Sequence, residues 1–326
     1  MINSAAKKQE DIDFIEYYKA LDCVKDEMNR VLSSTPLIIR KYTEHLKASS
    51  GKFIRAVSLI TCAEDKDGLV SDNAIKFAAA IELFHLATLV HDDVIDNANI
   101  RRGELTLQKK YGKRTAVICG DYVFCIALRL AASVSDKEKY LDLEMPDYIS
   151  KVCLGELNQH VNNGYLDLTV PQYLKIIAGK TAALFEASFC SGAILGGYDE
   201  VTVKKYMRLG RYVGMIFQIT DDCMDFETTE NVLKKPVQSD FEQGVITLPL
   251  IYAFKRLTGL KEKAGSSQLS RADINHAVEK TGGLQYARTV SKKYYDKALI
   301  IMDELDITND KRARLKLILD KAYMAY

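Results

Sequence analysis

Apolar residues recur along this chain at three- and four-residue steps, with no stretch of strict alternation, so helices dominate the expectation. Ile75, Ala78, Ile81, His85, Thr88 and Asp92 follow one such stripe. With Ser71-Asp72 as its start, the stripe predicts a long helix from Ser71 to Asp96. Thr35-Pro36 reads as an N-cap followed by proline at the first helical position. The same spacing predicts helices over 9–31, 37–48, 53–65, 114–134, 147–163, 171–196, 200–226, 246–258, 271–280, 283–303 and 309–324. The polar stretch from Lys261 to Ser270 reads as a surface loop. No linker rich in proline, glycine or serine divides the chain, and no repeat of fixed period occurs. The expectation is a single all-α domain over residues 1–326.

Composition narrows what such a fold can do. Hydrophobic residues make up 48%, enough for a large core. Lys plus Arg (45) nearly balances Asp plus Glu (44), which argues against a nucleic-acid binder and leaves phosphate chemistry to local clusters. The seven cysteines form no CxxC pair and no zinc-like spacing, which suits reduced thiols and a cytoplasmic location. The N-terminal residues lack the apolar core of a signal peptide. No run of about 18 apolar residues appears, so no transmembrane segment is expected. A lipid product would need an internal apolar tunnel.

Two acidic clusters carry the chemistry. Asp92-Asp93-Val94-Ile95-Asp96 and Asp221-Asp222-Cys223-Met224-Asp225 both place carboxylates at i, i+1 and i+4. Positions i and i+4 project from one helix face, a turn apart. Each cluster ends an apolar stretch, Leu83 to Val90 in one case and Val213 to Ile219 in the other. Carboxylates packed this closely repel one another and resist desolvation, and a hard divalent cation relieves both. Mg²⁺ takes oxygen ligands and is commonly held by one or two carboxylates plus substrate phosphates. Two such clusters facing each other across a cavity would hold a diphosphate through bridging metals. The plainer alternative is a pair of solvated acidic helix ends, and two matched clusters in one helical chain weigh against it.

Cations flank these clusters. Arg101-Arg102-Gly103 follows the first, and Gly51-Lys52-Phe53-Ile54-Arg55 puts Lys52 and Arg55 on one helix face. Adjacent arginines suit bidentate contact with two separate diphosphates, although each basic pair alone would pass for surface charge. Gly179-Lys180-Thr181 is not a P-loop, because Leu174 stands where the motif needs glycine and no strand precedes it. Lys180 is better read as a cation on an apolar helix in need of an anion. His85 lies on an apolar face and, from these residues alone, reads more readily as a core histidine than as a ligand, while His91 more naturally orients a neighbour.

Together these residues resemble the trans-type polyprenyl diphosphate synthase family. The resemblance runs from Gly51 to Tyr252 and is carried by Gly51-Lys52-x-x-Arg55, Glu82-x-x-His85, Asp92-Asp93-x-x-Asp96, Arg101-Arg102-Gly103, Gly120-Asp121-Tyr122, Gly179-Lys180-Thr181-Ala182, Phe217-Gln218-Ile219-x-Asp221-Asp222-x-x-Asp225 and Lys235-Pro236. It implies antiparallel helices bundled around a deep central cavity. It implies that Asp92 and Asp96 bind two Mg²⁺ ions, with Asp93 beside them, and that Asp221 binds a third, supported by Asp222 and Asp225. Arg101, Lys180 and Lys235 would hold an allylic diphosphate. Lys52, Arg55, His85 and Arg102 would hold isopentenyl diphosphate, and Thr181 and Gln218 would line the reacting carbons. The implied reaction is head-to-tail condensation of those two substrates, with released diphosphate as the base. Departures from the family pattern are Phe53 for arginine, Ala56 for proline, and Gln238 and Val245 where glycine and lysine are common.

In this family the residues four, five and eight before the first aspartate, here Thr88, Ala87 and Phe84, set product length. Ala87 and Thr88 are small, so products longer than farnesyl, from geranylgeranyl to octaprenyl, are expected, with Phe84 either a deeper floor or a side chain pointing aside. A terpene cyclase would not need Lys52, Arg55 and Arg102. A non-catalytic regulatory subunit would not need two complete aspartate clusters. A homodimer is expected, and a heterodimer in which a partner completes the site stays open.

Overall fold

The structure is a computed structural model that describes residues 14–48, 51–135, 147–227, 240–266 and 269–324. It is all-α in architecture. The described residues divide into two compact units. One runs to residue 135 and takes in Ser191–Asp199; the other holds residues 147–190 and continues from Glu200.

The first unit is built around α4 (Asp72–Ile95). Its start is the Ser71 hydroxyl, which accepts the Ala74 N–H at 3.3 Å as an N-cap. α4 is apolar nearly all round, as a helix enclosed by neighbours must be. Those neighbours are α1 (Tyr17–Ser33), α3 (Ile54–Ala63) and, along the greatest length, α6 (Lys113–Ala131). Ala56, Leu59, Ala78, Ala79, Leu83, Ala116 and Val123 are buried to 1% exposure or less and fill the space between them. Among the described residues α4 alone is long and apolar enough to cross a membrane, yet most of it is buried among these helices, as in a core helix. α2 (Leu37–Ala48) and the short α5 (Leu107–Tyr111) complete the helical part.

The second unit centres on α10 (Glu200–Glu227), which packs against α14 (Gly283–Asp303) and α15 (Asn309–Met324). α8 (Val170–Ile177), α11 (Leu248–Arg256), α12 (Leu260–Gly265) and α13 (Arg271–Thr281) line its core, α7 (Tyr148–Asn162) packs on α8, and α9 (Ala183–Leu195) begins in this unit and ends in the first. α8 opens with a capping box between Thr169 and Gln172 and with Pro171 in its first turn.

Several expectations are corrected. The helix expected over 171–196 is interrupted by a π-turn at Ala178–Ala182. Residues 261–265, read as loop, belong to α12. Thr35 does not cap α2; its hydroxyl donates to Leu32 O at 3.1 Å, and α2 starts directly after Pro36. Two small antiparallel pairs also form, Phe14–Glu16 with Leu69–Ser71 and Ile100–Arg101 with Glu104–Leu105, too short for period-two patterning to reveal. Lys235, Pro236 and Gln238 lie outside the described residues.

Candidate active site

The first acidic cluster ends α4, where the free carbonyls and the helix dipole already gather negative charge, and the last turn holds no basic residue. Asp92 is half-buried and Asp96, one turn on, is exposed, while Asp93 is buried. Burial raises the Asp93 pKa above the usual carboxylate range, and Arg101 opposes that rise by donating Nε–H to Asp93 Oδ1 at 2.7 Å. Arg101 comes from the tight hairpin Ile100–Leu105, whose turn forces Arg102 to a φ of 50°. Asn97, just past the cluster, is also left-handed at 53°. Left-handed backbone at non-glycine residues is costly, and here it brings the arginine pair back beside the carboxylates.

Gly51 explains itself through Arg102: a Cβ at Gly51 would meet the Arg102 Nη1 at 2.8 Å. The guanidinium thus lies flat on a backbone that has no side chain. Phe53, left-handed at 52°, starts α3 and sets Arg55 into the interior. There it meets buried Glu82, whose carboxylate accepts the Ala56 N–H at 2.9 Å. A proline at position 56 would have no N–H to give, so the departure at Ala56 serves Glu82. Burial raises the Glu82 pKa, and the charges of Arg55 and Arg102 work against that rise. His85, one turn on, is held well below the usual histidine range by burial and by Arg55, Arg102 and Arg101. It is therefore neutral near pH 7, in a basic pocket wall made of Arg55, His85, Arg101 and Arg102 within one unit.

His91 faces the other way. Its Nε2 lies 3.2 Å from Asp121 Oδ1 and 3.3 Å from Val117 O, and a Cβ at Gly120 would fall 2.4 Å from it. Gly120 makes room for His91, which ties the end of α4 to α6. Of the residues expected to set product length, Phe84 and Ala87 are buried, the Phe84 ring packs on Phe124 with centroids 5.5 Å apart, and Thr88 donates to His85 O.

The second acidic cluster ends α10, again with no basic residue in the last turn. Asp221 is exposed and Asp222 is buried. Asp222 belongs to a chain of four side chains. Thr181 Oγ1 donates to Gln218 Oε1 at 2.6 Å, Gln218 Nε2 donates to Asp222 Oδ1 at 2.7 Å, and Tyr173 Oη donates to Asp222 Oδ2 at 2.5 Å. Burial, then Asp240 and Asp221, push the Asp222 pKa well above the usual carboxylate range; the Tyr173 and Gln218 hydrogen bonds pull against them. Asp225 accepts the Asp240 N–H at 3.2 Å and faces Arg271 at 3.7 Å. Lys180 sits on the π-turn and reaches both oxygens of Glu156, at 2.9 and 3.1 Å.

The donors fit magnesium. They are all oxygen, and a few carboxylates sit at each of two electronegative helix ends. Mg²⁺ is held in this sparse way when substrate phosphates complete its shell. Within the first unit the structure gathers Arg55, His85, Arg101, Arg102 and the Asp92 cluster, while Lys52 is exposed just before α3; within the second it gathers Lys180, Thr181, Gln218 and the Asp221 cluster.

Comparison with known proteins decides the family. The model of the family described as polyprenyl synthetase matches residues 36–281. The chain belongs to the polyprenyl synthetase family. It is 36% identical over 301 residues to heptaprenyl diphosphate synthase component 2 of Geobacillus stearothermophilus, covering 91% of this chain and 92% of that protein. The heptaprenyl diphosphate synthase of Staphylococcus aureus superposes with a TM-score of 0.85 at 33% identity, covering 95% and 98% of the two chains. The Caulobacter crescentus polyprenyl synthase in complex with calcium and isoprenyl diphosphate superposes with a TM-score of 0.83 at 29% identity, covering 94% of each. Its fold is thus that of the isoprenoid synthases, and the chain is an enzyme of the prenyltransferase class.

Sequence reasoning missed Tyr173, Glu156, Asp240 and Arg271 as site residues of this synthetase. None adjoins a motif in sequence, and only packing brings them to Asp222, Lys180 and Asp225. Glu82 did stand in a recognised pattern, and its burial gives it a role.

Proposed function

We propose that this chain condenses an allylic diphosphate with isopentenyl diphosphate, head to tail and in the trans sense, to make polyprenyl diphosphates longer than farnesyl. The carrying observation is the pair of acidic helix ends, each without a basic residue in its last turn and each set among cations from elsewhere in its own unit. Asp92, Asp96 and Asp221 would hold three Mg²⁺ ions, with Asp93, Asp222 and Asp225 behind them. Magnesium, when bound, supplies Lewis-acid stabilisation of the departing diphosphate.

The protein's own groups do the rest. Arg101 and Lys180 bind the allylic diphosphate, and Lys235 assists from outside the described residues. Lys52, Arg55, Arg102 and neutral His85 bind isopentenyl diphosphate through charge-assisted hydrogen bonds. Thr181 and Gln218, locked to one another at 2.6 Å, present fixed dipoles rather than mobile ones to developing positive charge. Small Ala87 and Thr88 leave room for a growing chain above Phe84, in keeping with relatives named for heptaprenyl products.

A subunit partner is a second reading, favoured by the name component 2 in the Geobacillus and Bacillus subtilis relatives. The outward stripe Val117, Ile118 and Leu128 of α6 offers an apolar face for a second subunit, a copy of this chain or another. A cytoplasmic location accords with seven cysteines that are all free thiols. Asp92→Asn and Asp221→Asn should each abolish Mg²⁺-dependent binding of farnesyl diphosphate, measured calorimetrically. Normal binding by either variant contradicts the metal assignment.

A further inference from the structure

The π-turn at Ala178–Ala182 lies against α7 more closely than side chains permit. A Cβ at Gly155 would fall 2.1 Å from Lys180 N and 2.4 Å from the Gly179 carbonyl carbon. A Cβ at Gly179 would fall 2.9 Å from Gly155 Cα. Two glycines, one from each element, thus let backbone rest on backbone. π-turns carry one extra residue per turn, re-aim the side chains they hold, and gather at functional sites. This one holds Lys180 and Thr181.

The residue after Gly155 is Glu156, and the glycine crossing fixes its reach. Both carboxylate oxygens contact the Lys180 ammonium, at 2.9 and 3.1 Å. The pair is about three-quarters shielded, with side-chain exposures of 27% and 26%. Lys180 therefore meets its substrate already committed to a carboxylate.

We propose that Glu156 is a positioning residue: it holds Lys180 when the site is free of substrate and competes with the diphosphate for its ammonium. This rests on the reading of Lys180 as a ligand of the allylic diphosphate. The competition weakens ground-state binding of that diphosphate and eases its departure. Partly exposed ion pairs are modest in strength, so removing the carboxylate is worth a small factor rather than orders of magnitude.

The test is calorimetric binding of farnesyl diphosphate with Mg²⁺ to the wild type, Glu156→Gln, Lys180→Met and the double variant. Glu156→Gln should tighten binding by roughly two- to five-fold, and Lys180→Met should weaken it by about ten-fold or more. The double variant should match Lys180→Met, because the carboxylate acts only through the lysine. In steady state, Glu156→Gln should lower KM for the allylic substrate and leave KM for isopentenyl diphosphate unchanged, a split that a merely structural role does not produce. Glu156→Asn carries the same expectations and guards against a local packing effect of glutamine. Unchanged or weaker binding by both Glu156 variants, at wild-type Tm, overturns the proposal while leaving Lys180 as a ligand. Tightening that persists in the Lys180→Met background overturns it in favour of a general charge effect. Wild-type binding by Lys180→Met removes the underlying assignment and the proposal with it.

Discussion

The phenol of Tyr173 donates a 2.5 Å hydrogen bond to Oδ2 of Asp222, whose other oxygen is held by Gln218 at 2.7 Å. Burial, with Asp240 and Asp221 beside it, raises the Asp222 pKa above the usual carboxylate range, and these two donors work against that rise without cancelling it. Gln218 is committed on its other side to Thr181, so the state of Asp222 and the orientation of Thr181 are linked through one amide.

That linkage makes Tyr173→Phe informative. It removes a hydrogen bond to a charged group, worth about 1.5–3 kcal/mol, and should lower kcat by about ten-fold or more, with a smaller change in KM for either substrate. Wild-type kcat would show that the phenol is only packing.

Asp222 also leaves a mark on stability. Its folded pKa is raised, so the native state binds more protons than the unfolded chain above the ordinary carboxylate range. Without metal, stability should therefore fall as pH rises from about 4 through that window. Asp222→Asn should flatten this fall and raise Tm at pH 7 in chelator, while activity is lost. A Tm–pH curve parallel to the wild type's in thermal scans contradicts the placement of a destabilised carboxylate there.

His85 gives the opposite sign. Its folded pKa lies well below its unfolded value because of burial and three guanidinium groups. Its share of stability is present above about pH 6.5 and is lost as pH falls through the folded value. His85→Asn should lessen acid destabilisation in thermal scans and raise KM for isopentenyl diphosphate, leaving KM for the allylic substrate nearly unchanged. Unaltered isopentenyl KM would return His85 to the plain role of a core histidine.

Gly51→Ala tests the seat of Arg102. The new methyl meets the far end of a flexible side chain at 2.8 Å, so the fold should tolerate it and Tm should barely move. The displaced guanidinium should nonetheless raise KM for isopentenyl diphosphate on the order of ten-fold. A large loss of Tm with unchanged KM is the contrary result.

Most helices were legible because their apolar stripes keep one period over three turns or more. The Ser71 cap and both aspartate clusters followed from local spacing alone. The π-turn was not legible, since it lies against Gly155, a residue distant in sequence. The same holds for Tyr173, Asp240 and Arg271, whose meaning lies in which carboxylate they reach. The hairpin carrying Arg101 and Arg102 escaped notice because its strands span two residues each. Glu82 was visible as a motif letter, and only its bond to the position-56 N–H explains why proline does not stand there.

Product length is the property nearest to Phe84. The ring is buried against Phe124, and truncating a core phenylalanine costs about 3–5 kcal/mol. Phe84→Leu, which retains more volume, should fold securely, and both it and Phe84→Ala should shift chromatographed products to longer chains. An unchanged length distribution would show that the floor lies elsewhere.

The central claim is that this chain elongates allylic diphosphates with isopentenyl diphosphate. Purified protein, Mg²⁺, farnesyl diphosphate and radiolabelled isopentenyl diphosphate test it in one incubation, read by chromatography of the dephosphorylated products. Label in prenyl alcohols longer than farnesol, abolished by Asp92→Asn or Asp221→Asn, is the predicted result. Label that stays in isopentenyl diphosphate, or farnesol as the terminal product from shorter primers, contradicts it.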